Sequence, residues 1–170
     1  MDEDNKATLS LPAEIDPAAV RVTVDTREQQ PWDLSPLTTV TGTLDVGDYQ
    51  LADLPGLVAI ERKSPSDFLS CCGPERARFE RQLLRLKAVP HKLVVVECGW
   101  RSIQRGEWRN KISPKAVTGS VLGWMASSTP FLFAESRELA QQHVSRFLYI
   151  VARRQWRKLR AMHESMKVTS

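Results

Sequence analysis

The chain has 170 residues, of which 42% are hydrophobic and 26% are charged, with a formal net charge of +4. This length supports one domain with a hydrophobic core, and the composition is that of a globular protein, so neither disorder nor membrane embedding is expected. The three cysteines include no Cys-x-x-Cys pair, so neither a disulfide framework nor a structural zinc site is expected.

Residues 1–19 are predicted to form an irregular lead-in, because they contain few apolar side chains and two prolines, Pro12 and Pro17. The acidic start at Met1 lacks the basic and apolar segments of a secretory signal, and no apolar run approaches the roughly 18 residues that a membrane-spanning helix needs. We therefore expect an intracellular protein, in the cytoplasm or nucleoid of a prokaryotic or viral system or in a eukaryotic nucleus.

Short segments with alternating β-branched residues open the folded part of the chain. They predict strands over 20–24, 38–44, 46–51 and 57–60, followed later by strands over 93–97 and 131–134. The early strands are expected to form a meander or the edge of a mixed sheet.

Helix starts are marked by a capping serine before proline at Ser64-Pro65 and at Ser113-Pro114. Gly73-Pro74 interrupts the first helix, and a second is expected from about Glu75. The last helix is expected from Ser136 to about residue 162. The order β-β-β-α-α-β-α-β-α predicts an α/β fold, with a central mixed β-sheet flanked by helices.

Acidic and basic side chains occur where the predicted strands end. Asp25 and Glu28 follow the first strand, and Asp48 lies in the third. Glu61 and Lys63 finish the fourth and share one face, because strand side chains alternate with a period of two.

An aligned pair of Asp48 and Glu61 would form an oxygen site suited to Mg²⁺ or Mn²⁺, with Asp25 completing the metal shell directly or through water. Lys63 would then orient a water or neutralise developing charge during phosphodiester hydrolysis. One metal ion is sufficient, and two remain open. The alternative is that Glu61, Arg62 and Lys63 form an exposed strand end, with internal ion pairs that contribute little energy.

Basic and aromatic residues outside this constellation allow two interpretations. The arginines of the second helix could contact DNA phosphates or form a solvated helix face. Trp100 and Trp108 flank a basic segment, 101–111, that is expected to be an exposed loop contacting DNA or a partner. Trp156 could stack on an unpaired base or seal the core.

The string Gly47-Asp48, Glu61-Arg62-Lys63 and Asp67 resembles the signature of the XPF family of structure-specific DNA endonucleases. Three further segments, 24–28, 78–82 and 94–97, resemble the opening strand, the basic helix and a later strand of the same family. The resemblance implies a restriction-endonuclease-like nuclease core over residues 20–152, dependence on Mg²⁺ or Mn²⁺, and cleavage near junctions of duplex and single strand. Residues 153–170 are expected to form a basic C-terminal helical extension and tail.

Site residues follow from this resemblance by position. Asp48 and Glu61 resemble the metal ligands and Lys63 the catalytic lysine, with Asp25 as an additional acid. Arg27, Glu28 and Arg62 would support or orient the site, and Asp67 would stabilise the basic cluster. The expected DNA contacts lie on the second helix, at Arg76, Arg78, Arg81, Gln82 and Arg85.

The chain leaves no room for the helicase or tandem helix-hairpin-helix modules that family members carry, so we expect a stand-alone nuclease domain. A homodimer or a partner protein could then supply DNA targeting. The leading hypothesis is a metal-dependent endonuclease acting on branched DNA (flap, fork or junction) in repair, recombination or replication. The alternatives are a non-catalytic DNA-binding subunit of a nuclease complex, and a nuclease acting on RNA or simple ends.

Overall fold

The computed structural model describes residues 11–109 and 111–167, so residues 1–10 of the expected lead-in and 168–170 of the expected tail lie outside the described residues. The strands are β1 (Arg21–Asp25), β2 (Thr38–Gly42), β3 (Tyr49–Leu51), β4 (Val58–Lys63), β5 (His91–Val96) and β6 (Phe131–Phe133). The helices are α1 (Pro65–Cys71), α2 (Arg76–Lys87), α3 (Trp100–Arg105), α4 (Pro114–Ala126) and α5 (Arg137–Lys167), and a single 3₁₀ turn spans Pro17–Ala19.

The strands form one mixed sheet in the order β2-β1-β3-β4-β5-β6. β1 and β2 are parallel, β3 is antiparallel to both β1 and β4, and β4, β5 and β6 are parallel. The predicted mixed sheet is therefore confirmed, whereas a meander is wrong. β3 is buried along its length and takes the interior position, while β2 is mostly exposed and lies at the edge beyond β1.

Hydrophobic cores lie on both faces of the sheet, because α5 packs on one face and the other helices pack on the opposite face. The α5 side is built from residues that include Val22, Tyr49, Ile60, Val95 and Leu148. The other side includes Ala59, Phe68, Phe79, Val94 and Trp124. Strand alternation through β4 therefore directs Glu61 and Lys63 towards α1 and α2, and Arg62 towards α5.

Local capping signals begin two of the helices as the sequence predicts. The Ser64 side chain accepts a hydrogen bond from the Asp67 N–H, and the Ser113 side chain accepts one from the Ala116 N–H. Each serine is followed by a proline in the first helical turn, where the missing N–H has no partner to lose. The start of α1 therefore lies directly after β4.

Helix α3 corrects the prediction of an exposed loop over 101–111 for residues 101–105, whereas residues 106–109 and 111 lie outside helices and strands. Ile103, at 2% exposure, anchors α3 in the core. The ring of Trp100 packs against Phe133, with centroids 4.8 Å apart, so this tryptophan contacts the core. The basic residues around Ile103 concealed the helix at the sequence level, because its buried face is short.

The last helix, α5, has 31 residues and a length of about 46 Å. Its buried residues end at Ala152, and the remainder extends past the sheet. Trp156 Nε1 donates a 3.1 Å hydrogen bond to the Pro12 carbonyl, and Tyr149 donates one of 3.1 Å to the Ile15 carbonyl. Of the two roles considered for Trp156, this contact supports packing, here against the lead-in. Within the described ranges, none of the helices combines the length and apolar character that crossing a bilayer requires.

Candidate active site

Three carboxylates lie side by side across β1, β3 and β4. The pairing of Tyr49 with Ile60 places Asp48 opposite Glu61, and the Asp48 N–H donates to the Ile60 carbonyl at 2.7 Å. On the other side, the Asp25 N–H donates to the Asp48 carbonyl at 2.9 Å. Side chains directly opposite in neighbouring antiparallel strands share a face, so all three acids project from the face that carries α1 and α2.

Gly47 allows Asp48 to reach this position. Its φ of +72° lies in the left-handed region, and a Cβ at this residue would lie 2.8 Å from the Ile60 carbonyl oxygen. Any larger residue would push β3 away from β4 just before Asp48. The glycine of the Gly-Asp motif is therefore required by the close approach of two backbones.

Lys63 and Glu61 form a buried ion pair beside Asp48. Lys63 Nζ donates to Glu61 Oε1 at 2.6 Å, with the side chains 13% and 7% exposed. Burial lowers the pKa of Lys63, but the Glu61 carboxylate outweighs burial and the pKa ends above its ordinary value. Lys63 is therefore an ammonium ion, lying 5.3 Å from the centroid of the Phe79 ring.

The negative charge of Asp48 is only partly balanced by neighbouring donors and cations. Burial raises the pKa of the Asp48 carboxyl to about 7, and repulsion from Glu61 acts in the same direction. The Arg62 N–H, which donates to Asp48 Oδ2 at 2.7 Å, and the charge of Lys63 oppose this rise only in part. The two carboxyl groups of Asp48 and Glu61 therefore offer more negative charge than the Lys63 ammonium neutralises.

Asp25 has a different environment, because donors occupy both of its oxygens. Oδ1 accepts from the Arg27 N–H at 2.9 Å and from Arg27 Nε at 2.7 Å. Oδ2 accepts from Arg27 Nη2 at 3.0 Å and from the Leu44 N–H at 2.7 Å. The Arg27 guanidinium holds the pKa of Asp25 at about 2, and only 2% of the residue is exposed. Asp25 therefore positions Arg27.

Arg62 lies on the opposite face of β4 and is the centre of a buried network of charges. Its Nε and Nη2 donate to the two oxygens of Glu97 at 2.9 and 3.1 Å, and its Nη1 donates to Glu28 at 3.0 Å. Glu97 also accepts from Trp32 Nε1 at 2.6 Å and from Arg137 Nη1 at 3.1 Å. The network connects β4, β5, the segment after β1 and the start of α5.

Glu97 was not among the predicted site residues. Two signals in the sequence could have identified it: its place directly after the buried run of β5, where an acid is unusual, and the resemblance of segment 94–97 to a strand of the family. Burial raises its pKa, but hydrogen bonds from Arg62 and Trp32 outweigh burial and hold the pKa below the ordinary value. Glu97 is therefore an ionised carboxylate on the α5 face of the sheet, where it contacts Arg62 of β4.

A cleft of about 610 Å³ opens over the carboxylate pair. It brings together ten of the predicted site residues: Arg27, Glu28, Asp48, Glu61, Arg62, Lys63, Asp67, Arg78, Gln82 and Arg85. Asp67 also accepts a 2.7 Å hydrogen bond from the Ser64 hydroxyl at the start of α1. Ser64 and Ser66 line the cleft as well and were not predicted.

Three predicted residues do not line the cleft. Asp25 is buried beside Arg27, and Arg81 is exposed on α2 outside the lining set. Arg76 is directed towards α4, where it donates to the Ser120 hydroxyl at 2.6 Å and lies 5.1 Å from the Trp124 ring centroid. Of the five α2 residues predicted to contact DNA, Arg78, Gln82 and Arg85 therefore line the cleft.

The donor set fits a hard divalent cation. In the described part of the chain, no group of three or more histidine, cysteine or acidic side chains is arranged as a closed metal cage. Mg²⁺ is commonly bound by one or two carboxylates together with waters and substrate phosphates, which is what Asp48 and Glu61 can offer. Because Lys63 neutralises only part of the negative charge of this pair, the site is suited to binding a divalent cation.

Comparisons with known proteins agree with this arrangement. The ERCC4 domain model matches residues 24–158. Among solved structures, XPF from Aeropyrum pernix superposes with a TM-score of 0.59 at 20% identity, covering 85% of this chain and 69% of that chain. A second structure, XPF from Aeropyrum pernix in complex with DNA, gives a TM-score of 0.56 at 20% identity, covering 78% and 64%.

No curated protein sequence matches the chain. The match to the domain model nevertheless spans most of the chain and includes every residue of the carboxylate and lysine constellation. The described strands and helices have the arrangement of the XPF nuclease fold. The chain belongs to the ERCC4 domain family.

Proposed function

We propose that the chain is an endonuclease that depends on Mg²⁺ or Mn²⁺ and hydrolyses phosphodiester bonds in branched DNA. The observation that carries this proposal is the alignment of Asp48 opposite Glu61, with the Lys63 ammonium at 2.6 Å from Glu61, in one open cleft. Two carboxylates and a lysine with this spacing suit metal-assisted cleavage of a phosphate ester.

Asp48 and Glu61 would hold the ion, and Asp25 would act on the site through Arg27. A bound divalent ion supplies Lewis acidity that polarises the phosphate and lowers the pKa of a water. The two acids fix the position at which a phosphate is bound. Arg27, whose side chain is 72% exposed, is held by Asp25 at the cleft and can donate to a phosphate oxygen.

Lys63 contributes as a cation and not as a base, because Glu61 keeps it protonated. Its ammonium group can donate hydrogen bonds to the phosphate oxygens on which charge develops. Such preorganised donors act strongly in a partly buried site, where removing one typically lowers kcat about 10²–10³-fold. Burial of Lys63 against the Phe79 ring fixes the position of the ammonium before DNA binds.

DNA would enter over α2. Arg78, Gln82 and Arg85 line the same cleft as the carboxylates, so a backbone that contacts them passes over Asp48. Contacts of this kind position a duplex without reading its bases. That one structural relative is an XPF in complex with DNA supports this interpretation.

The non-catalytic subunit remains the second hypothesis, and the complete set of acids and lysine in the cleft argues against it. We also propose that the substrate is a flap, fork or junction and that cleavage serves repair, recombination or replication. We further propose that a homodimer or a partner protein supplies DNA targeting.

The test is cleavage of end-labelled flap, fork, four-way-junction and linear duplex DNA in Mg²⁺ or in Mn²⁺. We expect metal-dependent cuts near the branch, loss of cleavage in Asp48→Asn, and about 10²–10³-fold slower cleavage in Lys63→Met. Asp53→Asn is the matched control, because Asp53 is an exposed acid paired with Arg21 away from the cleft.

Three possible results test the branch preference, the catalytic activity and the assigned site separately. Equal cutting of linear and branched DNA would reject the branch preference and keep the nuclease. Absence of cleavage by the folded protein in either metal, with retained affinity for branched DNA, would reject the enzyme in favour of the binding subunit. Full activity of Asp48→Asn would reject the assigned site.

A further inference from the structure

A second groove, of about 420 Å³, lies beside the active-site cleft. It is formed by α1, α3 and the segment that follows α3, and its lining includes Ser66, Leu69, Ile103, Trp108 and Arg109. Ser66 lines both the groove and the cleft over the carboxylates. The two depressions therefore adjoin at the start of α1, next to the end of the active strand.

The groove has an apolar floor and an aromatic wall. Leu69 and Ile103 are 8% and 2% exposed and close the floor. Trp108 is partly exposed and lines the groove, and its Nε1 donates a 2.9 Å hydrogen bond to the Ile112 carbonyl. This bond satisfies the polar edge of the indole, and part of the ring packs against the core, so the ring is held in place. The part of its hydrocarbon surface that lines the groove is available for a ligand.

The surroundings of the groove are positively charged. The segment from α3 to the start of α4 carries four exposed basic residues, which are Arg101, Arg105, Arg109 and Lys111. Of these four, Arg109 lines the groove itself, together with one acid, Glu107, which pairs with Arg105 at 3.5 Å. A net positive segment beside a tryptophan matches an anionic ligand that also carries flat rings.

We infer that this groove binds unpaired DNA next to the cleavage site, with a base stacked on Trp108 and the backbone held by Arg109. Proteins that bind single strands combine a basic groove with aromatic rings, because every base offers a face for stacking. This inference rests on the proposed function and deepens it. The arginines of α2 would hold the paired arm of a branch, and this groove would hold the unpaired arm.

The test measures the affinity of the whole chain for DNA in EDTA, so that cleavage does not interfere. Fluorescence anisotropy is recorded for a fork with oligothymidine arms and for a blunt duplex with the same paired region. We expect Trp108→Ala to weaken fork binding roughly 5- to 150-fold while duplex binding is unchanged. Trp108→Phe retains a ring and is expected to recover most of the affinity for the fork.

Two further variants keep the result interpretable if Trp108→Ala disturbs folding. Arg109→Glu reverses an exposed charge without touching the core, and it is expected to weaken binding of the fork selectively. Arg146→Glu is its matched control, since Arg146 is exposed and lies outside both the groove and the cleft. Thermal unfolding of each variant establishes that the fold is intact.

Equal effects on fork and duplex, or no effect of Trp108→Ala and Arg109→Glu on the fork, would overturn the inference. Neither result would touch the proposed nuclease activity, which is measured by metal-dependent cleavage. Conversely, wild-type protein that binds the fork through Trp108 but cuts no DNA in Mg²⁺ or Mn²⁺ would reject the proposed function and retain the groove.

Discussion

Replacing Glu97 with glutamine is expected to destabilise the fold by about 3–5 kcal/mol, the usual cost of removing one partner from a buried ion pair. Glu97 and Arg62 are only 7% and 11% exposed, so water cannot replace the lost charge. Arg62 would retain Glu28 as its carboxylate partner, and Arg137 would lose the carboxylate to which it donates. The amide would also direct N–H groups towards guanidinium donors.

This loss is a large share of the stability of a typical domain, which is about 5–15 kcal/mol. For a chain of this size, each kcal/mol corresponds to about 2–4 °C in Tm, so the melting temperature is expected to fall by roughly 6–20 °C. Urea unfolding followed by circular dichroism measures the free energy directly, provided that the slopes of wild type and variant agree.

Asp53→Asn is the control, because it makes the same chemical change in a pair whose side chains are 55% and 54% exposed. Exposed pairs contribute about 0–1 kcal/mol, so this variant is expected to unfold close to wild type. If Glu97→Gln also lost less than about 1 kcal/mol, the reasoning that a buried charge network stabilises this fold would be refuted.

Three further perturbations test the site and its surroundings. Gly47→Ala is expected to lose more stability than Gly56→Ala in urea unfolding. Both glycines have positive φ, a conformation that costs alanine about 1–2 kcal/mol. In addition, a Cβ at residue 47 would lie 2.8 Å from a carbonyl oxygen, whereas a Cβ at residue 56 would meet no atom within 4 Å. Equal losses would contradict that close approach. Arg78→Ala is expected to reduce the salt dependence of duplex affinity by about one phosphate contact, whereas Arg146→Ala leaves it unchanged; an unchanged slope in both would remove α2 from the DNA interface. Asp25→Asn is expected to lower stability above about pH 4 and to converge with wild type towards about pH 2, because a pKa held at about 2 stabilises the fold only where the carboxyl of the unfolded chain is ionised. A stability difference that stayed constant across this pH range would contradict the charged role of Asp25.

Local features of this protein were predictable from its sequence because they depend on neighbouring residues. The caps at Ser64 and Ser113 act within one helical turn, and both helices begin where the sequence predicts. The shared face of Glu61 and Lys63 follows from strand geometry alone, and the structure confirms it with their ion pair. The motif around Asp48 likewise identified the family before any contact was known.

The tertiary structure decided what depends on distant pairing. The position of β2 beyond β1 follows from which strand could be buried on both sides, and the sequence allowed a meander equally well. Asp25 resembles Asp48 as an acid at a strand end, yet hydrogen bonds from Arg27 and Leu44 occupy its oxygens. Only the fold distinguishes the two carboxylates.

Glu97 illustrates the physical reason most directly. It lies 35 residues after Arg62 in sequence and 65 after Trp32. It contacts Arg62 because β5 pairs with β4, and Trp32 because the segment after β1 packs on the α5 face of the sheet. Hydrogen bonds between strands and the burial of charge join residues whose separation carries no local signal. The sequence thus determined the chemical groups of the site and their local geometry, including the contact of Asp25 with Arg27 two residues away. Long-range strand pairing decided which carboxylate faces the cleft and which one stabilises the opposite face of the sheet.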